Sequence, residues 1–379
     1  MQHIERNHKR LHDARIESDV RTCVLSRGCV RVCPVPQSDE IDMSDLLFVL
    51  DSKKEPVGSL RRFVNACSQC GLCRDSCPKG NRFDLMVLEL KSRLKDKPAG
   101  YRAAMSLLGA EQSIPQRLGV KAKYIAYSKS IKEVRQYLDK IPPKSRTLFY
   151  AGEHSLLGSS SQALSMMRAQ DDKTQFLGGL RLCSGYDFWM QGDFERMYAQ
   201  FNTLSSALRR VEAQDVVVPS LATYRAMDEV RYLHSRDFRL MTFLQWLQQV
   251  ALPHGLLSAS ADMPKDVAVY HSTLLKRLTG VSLPMLLGKY TNCHDVDPEG
   301  HTPTMEYNYE FDDHNTTIRH NLIAQARAHA EILIVDCAHT ANVMRNACTR
   351  DNAIQVMDVM QFAHRYLFSR TEEEVAPHE

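Results

Sequence analysis

Apolar and polar positions change their rhythm partway along the chain, and that change sets the expected architecture. Between Cys33 and Cys67, the stretches DEIDMSDLLFVLD and EPVGSLRRFVNA carry apolar residues at helical rather than alternating spacing. FDLMVLELKSRLKDK, starting at Phe83, continues as an amphipathic helix to about Lys97, where Pro98-Ala99-Gly100 stops it. Residues 101–144 read as polar helix ending in the linker IPPKSR. From Thr147 the pattern becomes β-rich runs alternating with helices: TLFYAG then SSSQALSMMRAQ, DVVVPS then LATYRAMDEVRYL, DVAVYHS then TLLKRLTG, EILIVDC then AHTANVMRNA. Such alternation marks α/β units with largely parallel sheets.

Laying these units over one another reveals a repeat. DVVVPSLATYRAM followed by RLMTFLQWLQQ resembles ILIVDCAHTANVM followed by IQVMDVMQFAHR, with Met241 matching Met357, Gln245 matching Gln361 and Trp246 matching Phe362. The expected fold is therefore an α-helical ferredoxin domain over residues 1–98, a helical linker over 99–144, and two repeated α/β halves over 145–255 and 262–370.

Composition alters little: 44% hydrophobic and 25% charged residues with a net charge of +3 give no ground for expecting nucleic acid or a membrane surface as partner. The N-terminus lacks an apolar signal core, and the apolar runs Leu46 to Leu50 and Ile332 to Val335 are too short to span a bilayer. A cytoplasmic location is expected, with membrane association only through a partner protein.

The cysteines change the picture. Seven of the eleven fall between Cys23 and Cys77, a clustering that indicates metal ligation in a reducing compartment rather than disulfides. Cys67, Cys70, Cys73 and Cys77-Pro78 form a CxxCxxCxxxCP run, in which one short loop wraps three corners of a cubane while a distant cysteine closes the fourth. In two-cluster proteins that fourth ligand comes from the other motif, so Cys33 joins Cys67, Cys70 and Cys73 around a 4Fe-4S cluster. Zinc also uses CxxC pairs, but the threefold run ending in Cys-Pro points to iron.

Cys23, Cys29 and Cys33-Pro34 repeat the run with Ser26 at the second ligand position, leaving Cys23, Cys29 and Cys77 for the other cluster. This spacing resembles the 3Fe-4S motif of the iron-sulfur subunit of succinate dehydrogenases and fumarate reductases. The resemblance implies a 3Fe-4S centre, the alternative being a second 4Fe-4S cluster with Ser26 or water at its fourth iron. Arg21, Arg27 and Arg31 surround this motif, whereas Asp75 offsets Arg74 in the other, so the first centre is expected to have the higher potential.

With the two-cluster segment ahead of duplicated α/β halves, the chain resembles the cysteine-rich (CCG-domain) iron-sulfur proteins. These are related to the C and B components of heterodisulfide reductase and to the C component of anaerobic glycerol-3-phosphate dehydrogenase. LCSGYDFWMQGDFE resembles the family's CCG segment, and VVVPSLATY and IVDCAHTA its strand-CPxC-helix segments. Where the family has paired cysteines, this chain has Cys183-Ser184, Ser220 with Thr223, and Cys337 with Thr340, and Glu153 replaces another. The resemblance thus implies degenerate halves that have lost the non-cubane cluster and its disulfide chemistry. Cys183, Cys293, Cys337 and Cys348, with His294 and His339, match no compact metal motif and are expected to be structural.

No GxGxxG fingerprint and no CxxCH haem motif is present. The expected function is a non-catalytic electron-transfer subunit working with a dehydrogenase, a flavoprotein or a quinone-reactive membrane protein. The alternative is a reductase with its own substrate site in the C-terminal halves.

Overall fold

The computed structural model describes residues 2–95, 135–152, 160–179, 181–230, 238–298, 312–348 and 353–368. Glu153 and most of the expected helical linker lie outside them. Six helices open the chain: α1 (Gln2–Arg21), α2 (Gly28–Arg31), α3 (Met43–Asp51), α4 (Gly58–Ala66), α5 (Leu72–Asp75) and α6 (Phe83–Ser92). Asp42 starts α3 by accepting a hydrogen bond from the Ser44 amide at 2.7 Å.

The first α/β half comprises β1 (Thr147–Ala151), α7 (Ser160–Gln170), β2 (Gln175–Gly178), α8 (Tyr186–Met190), α9 (Phe194–Val211), β3 (Asp215–Val218), α10 (Leu221–Val230), β4 (Arg239–Thr242) and α11 (Phe243–Trp246). The second comprises β5 (Asp266–Tyr270), α12 (Thr273–Thr279), α13 (Leu283–Leu287), β6 (Asn292–Asp295), α14 (Asp312–Arg327), β7 (Ile332–Val335), α15 (Ala338–Ala347), β8 (Gln355–Asp358) and α16 (Val359–Phe362).

Each half is a four-stranded parallel sheet, ordered β2-β1-β3-β4 and β6-β5-β7-β8. β4 and α11 run into a π-helical turn, Leu247–Ala251, and β8 and α16 run into its counterpart, Ala363–Leu367. Thr242 caps α11 in a reciprocal box with Gln245, while Asp358 caps α16 through the Met360 and Gln361 amides.

The expected separate α-helical ferredoxin domain is corrected by these observations. The architecture is α/β, built on two parallel sheets, and the helical segment has no core of its own. Leu46, Phe63, Val64 and Leu88 lie in one buried cluster with Tyr186, Trp189, Phe201 and Ala222 of the first half. Helices of nine or ten residues such as α3, α4 and α6 cannot enclose an apolar interior alone, so α8, α9 and α10 complete it. The halves are fused likewise, with Phe149 and Met241 sharing a core with Val267, Ile334 and Met360.

Candidate metal centres

The two cysteine motifs fold into short helices packed against each other, α2 carrying Cys29 and α5 carrying Cys73. A Cβ on Gly28 would lie 2.7 Å from the Ser76 carbonyl oxygen, so only glycine permits this approach. Between Cys67 and Cys73 the backbone takes positive φ at Gln69 (58°) and Gly71 (77°). These left-handed residues turn the loop around a void, and the Gln69 and Leu72 amides hydrogen-bond to the Cys67 and Cys70 sulfurs.

That void is lined by Cys33, Cys67, Cys70 and Cys73 together with Val35, Phe63 and Phe83. It is small, with room for about one water molecule beside the sulfurs. A second void of similar size is lined by Cys23, Cys29, Cys77 and Ser26, with Met43, Phe83 and Met86. The final cysteine of each motif thus crosses to the other motif's cavity, and Phe83 is a wall common to both.

Burial pushes the Cys29 and Cys67 thiols up to about 11 and raises Cys33, Cys70 and Cys73 as well, with neighbouring thiols adding to the effect. Thiolates in so dry a setting persist only against a cationic centre. Among the described residues, the only three metal-binding side chains with ligand atoms all within 4.8 Å of one another are His12, Asp13 and Glu89, so no three cysteine sulfurs meet that closely. A single tetrahedral zinc with bonds of about 2.3 Å would draw its sulfurs to roughly 3.8 Å apart. The donor sets fit a polynuclear iron-sulfur group better than one zinc ion.

No protein-family model matches the chain, and no curated protein matches it. Among solved structures it is similar to an Asp/Glu racemase described as putative from Yersinia pestis (12% identity, 58% of this chain and 96% of that one, TM-score 0.31). An aspartate racemase homologue from Pyrococcus horikoshii OT3 gives 11% identity, 58% and 96% coverage, and a TM-score of 0.28. Picrophilus torridus aspartate racemase gives 12%, 61% and 97%, and 0.29. Likenesses this faint carry no weight for fold or activity.

Several groups around the first void were not apparent from the motifs. Lys91, 2% exposed, donates to the Cys67 carbonyl at 2.8 Å and draws the Cys67 thiol down against the effect of burial. Gln69 Nε2 donates to Cys67 Sγ at 3.3 Å. Asp84, 1% exposed, lines the cavity and is held by Arg82 at 2.8 Å and by Arg225 of α10 at 2.9 Å. For Asp84 and Lys91 the signal in the sequence is a charge at either end of the largely apolar FDLMVLELK helix.

Arg277 of α12 reaches back from the second half, donating to the Cys70 carbonyl at 3.3 Å and pairing with Asp75. Among the described residues Arg74 makes no ion pair, and its charge helps to hold Asp84 ionised. Arg277→Gln removes a positive charge beside the Cys67–Cys73 loop, which would disfavour the reduced, more negative form of a cluster held there. Its midpoint potential should fall by about 40 mV, corresponding to roughly 1 kcal/mol for one electron, in a potentiometric titration.

The remaining cysteines follow local structure. Cys183 and Cys337 are buried, Cys293 and Cys348 only partly so. Cys337 caps α15 by accepting from the Thr340 amide, and Ser220 accepts from the Thr223 amide at the start of α10. These matched positions serve as helix caps. Cys183 Sγ donates to Gln200 Oε1 at 3.3 Å, and His294 stacks on His329 with ring centres 4.9 Å apart. Among the described residues no helix is long and apolar enough to cross a membrane.

Proposed function

We propose that the chain is an iron-sulfur electron-transfer subunit of a larger oxidoreductase, relaying single electrons between partner redox proteins. Cys33, Cys67, Cys70 and Cys73 would hold a 4Fe-4S cluster. Cys23, Cys29 and Cys77 would hold a 3Fe-4S cluster, or a second 4Fe-4S cluster with Ser26 or water at the fourth iron. The observation carrying this reading is the sorting of the seven N-terminal cysteines into two cavities, with Cys33 and Cys77 exchanged between the motifs. Such groups supply reversible one-electron chemistry; the chain supplies thiolates, excludes water and sets the surrounding charge.

Three further features support a relay. The cavities share the Phe83 wall, which keeps the centres adjacent. The loop around the second cavity reaches the surface, with Val24 and Leu25 54% and 46% exposed, and Arg21, Arg27 and Arg31 exposed nearby. An apolar patch rimmed by arginine suits a redox partner with an acidic edge. Arg27 is pinned there by donating to the Asp39 and Ile41 carbonyls, which stiffens the patch.

Protein prepared without oxygen should hold about seven irons per chain and, once oxidised, show the EPR signal of a 3Fe-4S centre. Cys29→Ala should abolish that signal and leave the 4Fe-4S signal in place. Zinc in place of iron, or a fully iron-loaded protein whose centres cannot be reversibly reduced, would remove the basis for the relay.

A further inference from the structure

A third cavity lies at the seam where α1, α5 and the start of α6 meet α8, α9 and α10. It offers about 290 Å³ to a water-sized molecule, the low end of the range for small-molecule sites. Arg15, Arg74 and Arg82 bring three guanidinium groups to its lining, against one carboxylate, Glu229.

That carboxylate is already engaged, 3.2 Å from Arg82, while Arg15 pairs with Asp19 and Arg82 with Asp84. Arg74 has no such partner among the described residues. Two nitrogens at the same lining are unmatched as well: His12 Nε2, and Nε1 of Trp189, whose residue is 1% exposed. Burial lowers the His12 pKa from its ordinary value, so the ring is neutral at pH 7 and does not add to the positive charge. An unsatisfied buried indole N–H is costly, and an acceptor arriving from outside would recover that cost. Leu85, Phe194 and Met197 supply an apolar wall opposite the charged one.

We propose that this cavity binds a small organic oxyanion, with its carboxylate or phosphate at Arg74 and Trp189 Nε1 and an apolar body against Leu85, Phe194 and Met197. The site adjoins the Cys67–Cys73 cavity, since Arg74 follows Cys73 in α5 and Arg82 holds Asp84. Charge assistance favours an oxyanion, since guanidinium matches a two-oxygen group with paired hydrogen bonds. The apolar wall favours an organic body over a bare inorganic ion.

The experiment is calorimetric titration of the full-length, anaerobically purified protein with phenyl phosphate, benzoate and inorganic phosphate. Either or both aromatic anions should bind at one site per chain, and the tighter of them about tenfold more tightly than inorganic phosphate. Arg74→Gln, an exposed change that leaves the core alone, should weaken that binding about tenfold. Arg209→Gln, the same loss of charge at the far end of α9, should leave it unchanged. Trp189→Phe keeps an aromatic side chain, though a smaller one, and removes the N–H, and should also weaken binding. No binding by wild type, equal affinity for inorganic phosphate, or undiminished binding by Arg74→Gln would each overturn the assignment.

Discussion

Cys70→Ala is expected to lower the iron content from about seven to about six per chain and to replace the 4Fe-4S signal by a second 3Fe-4S signal. The thiol is 8% exposed and sits between two left-handed residues, Gln69 and Gly71. The cavity's other sulfurs come from Cys33, Cys67 and Cys73, and three ligands leave one corner of a cubane open in a dry pocket. The second cavity draws only on Cys23, Cys29 and Cys77, so its centre is insulated from the change. Cys293→Ala, in β6, is the matching control and should lose no iron. Colorimetric iron analysis with EPR reads both variants. Unchanged iron in Cys70→Ala would separate that cysteine from any cluster.

Asp84→Asn is expected to destabilise the protein by about 3–5 kcal/mol, the usual cost of stripping the partner from buried charges. The carboxylate, 1% exposed, holds Arg82 and Arg225 at 2.8 and 2.9 Å, joining α6 to α10. Burial alone would raise its pKa, but the hydrogen bond and charge of Arg82, with the charge of Arg225, outweigh it and bring the value to about 2. Because the folded-state value lies below the ordinary carboxylate one, the stabilisation is fully present above about pH 4 and is lost as the pH falls towards 2. Urea midpoints taken across that window should drop for wild type and stay flatter for Asp84→Asn. Parallel pH profiles would show that the carboxylate carries no such linkage.

Which strands the sequence disclosed follows from their place in the sheets. β1, β3, β5 and β7 are the inner strands, flanked on both edges and covered on both faces, and they read as the runs TLFYA, DVVV, DVAVY and ILIV. β2, β4, β6 and β8 are the outer ones, and QFLG, RLMT, NCHD and QVMD carry too few apolar residues to register as strands. The cysteine spacing was legible because Cys67, Cys70 and Cys73 reach one void from a single short loop. Arg277 and Arg225 were not, since their partners Cys70 and Asp84 lie 207 and 141 residues away. The expected autonomous helical domain failed for a related reason: periodicity marks an apolar face without saying what will cover it.

The lining borrowed from α8, α9 and α10 bears on how the protein matures during synthesis. The ribosome delivers every N-terminal thiol long before it delivers Tyr186, Trp189 and Phe201, which roof the same interior. Until those residues emerge, the nascent segment leaves its sulfurs uncovered, and any cluster built there would be closed off from peroxide and copper only once the first sheet has been translated.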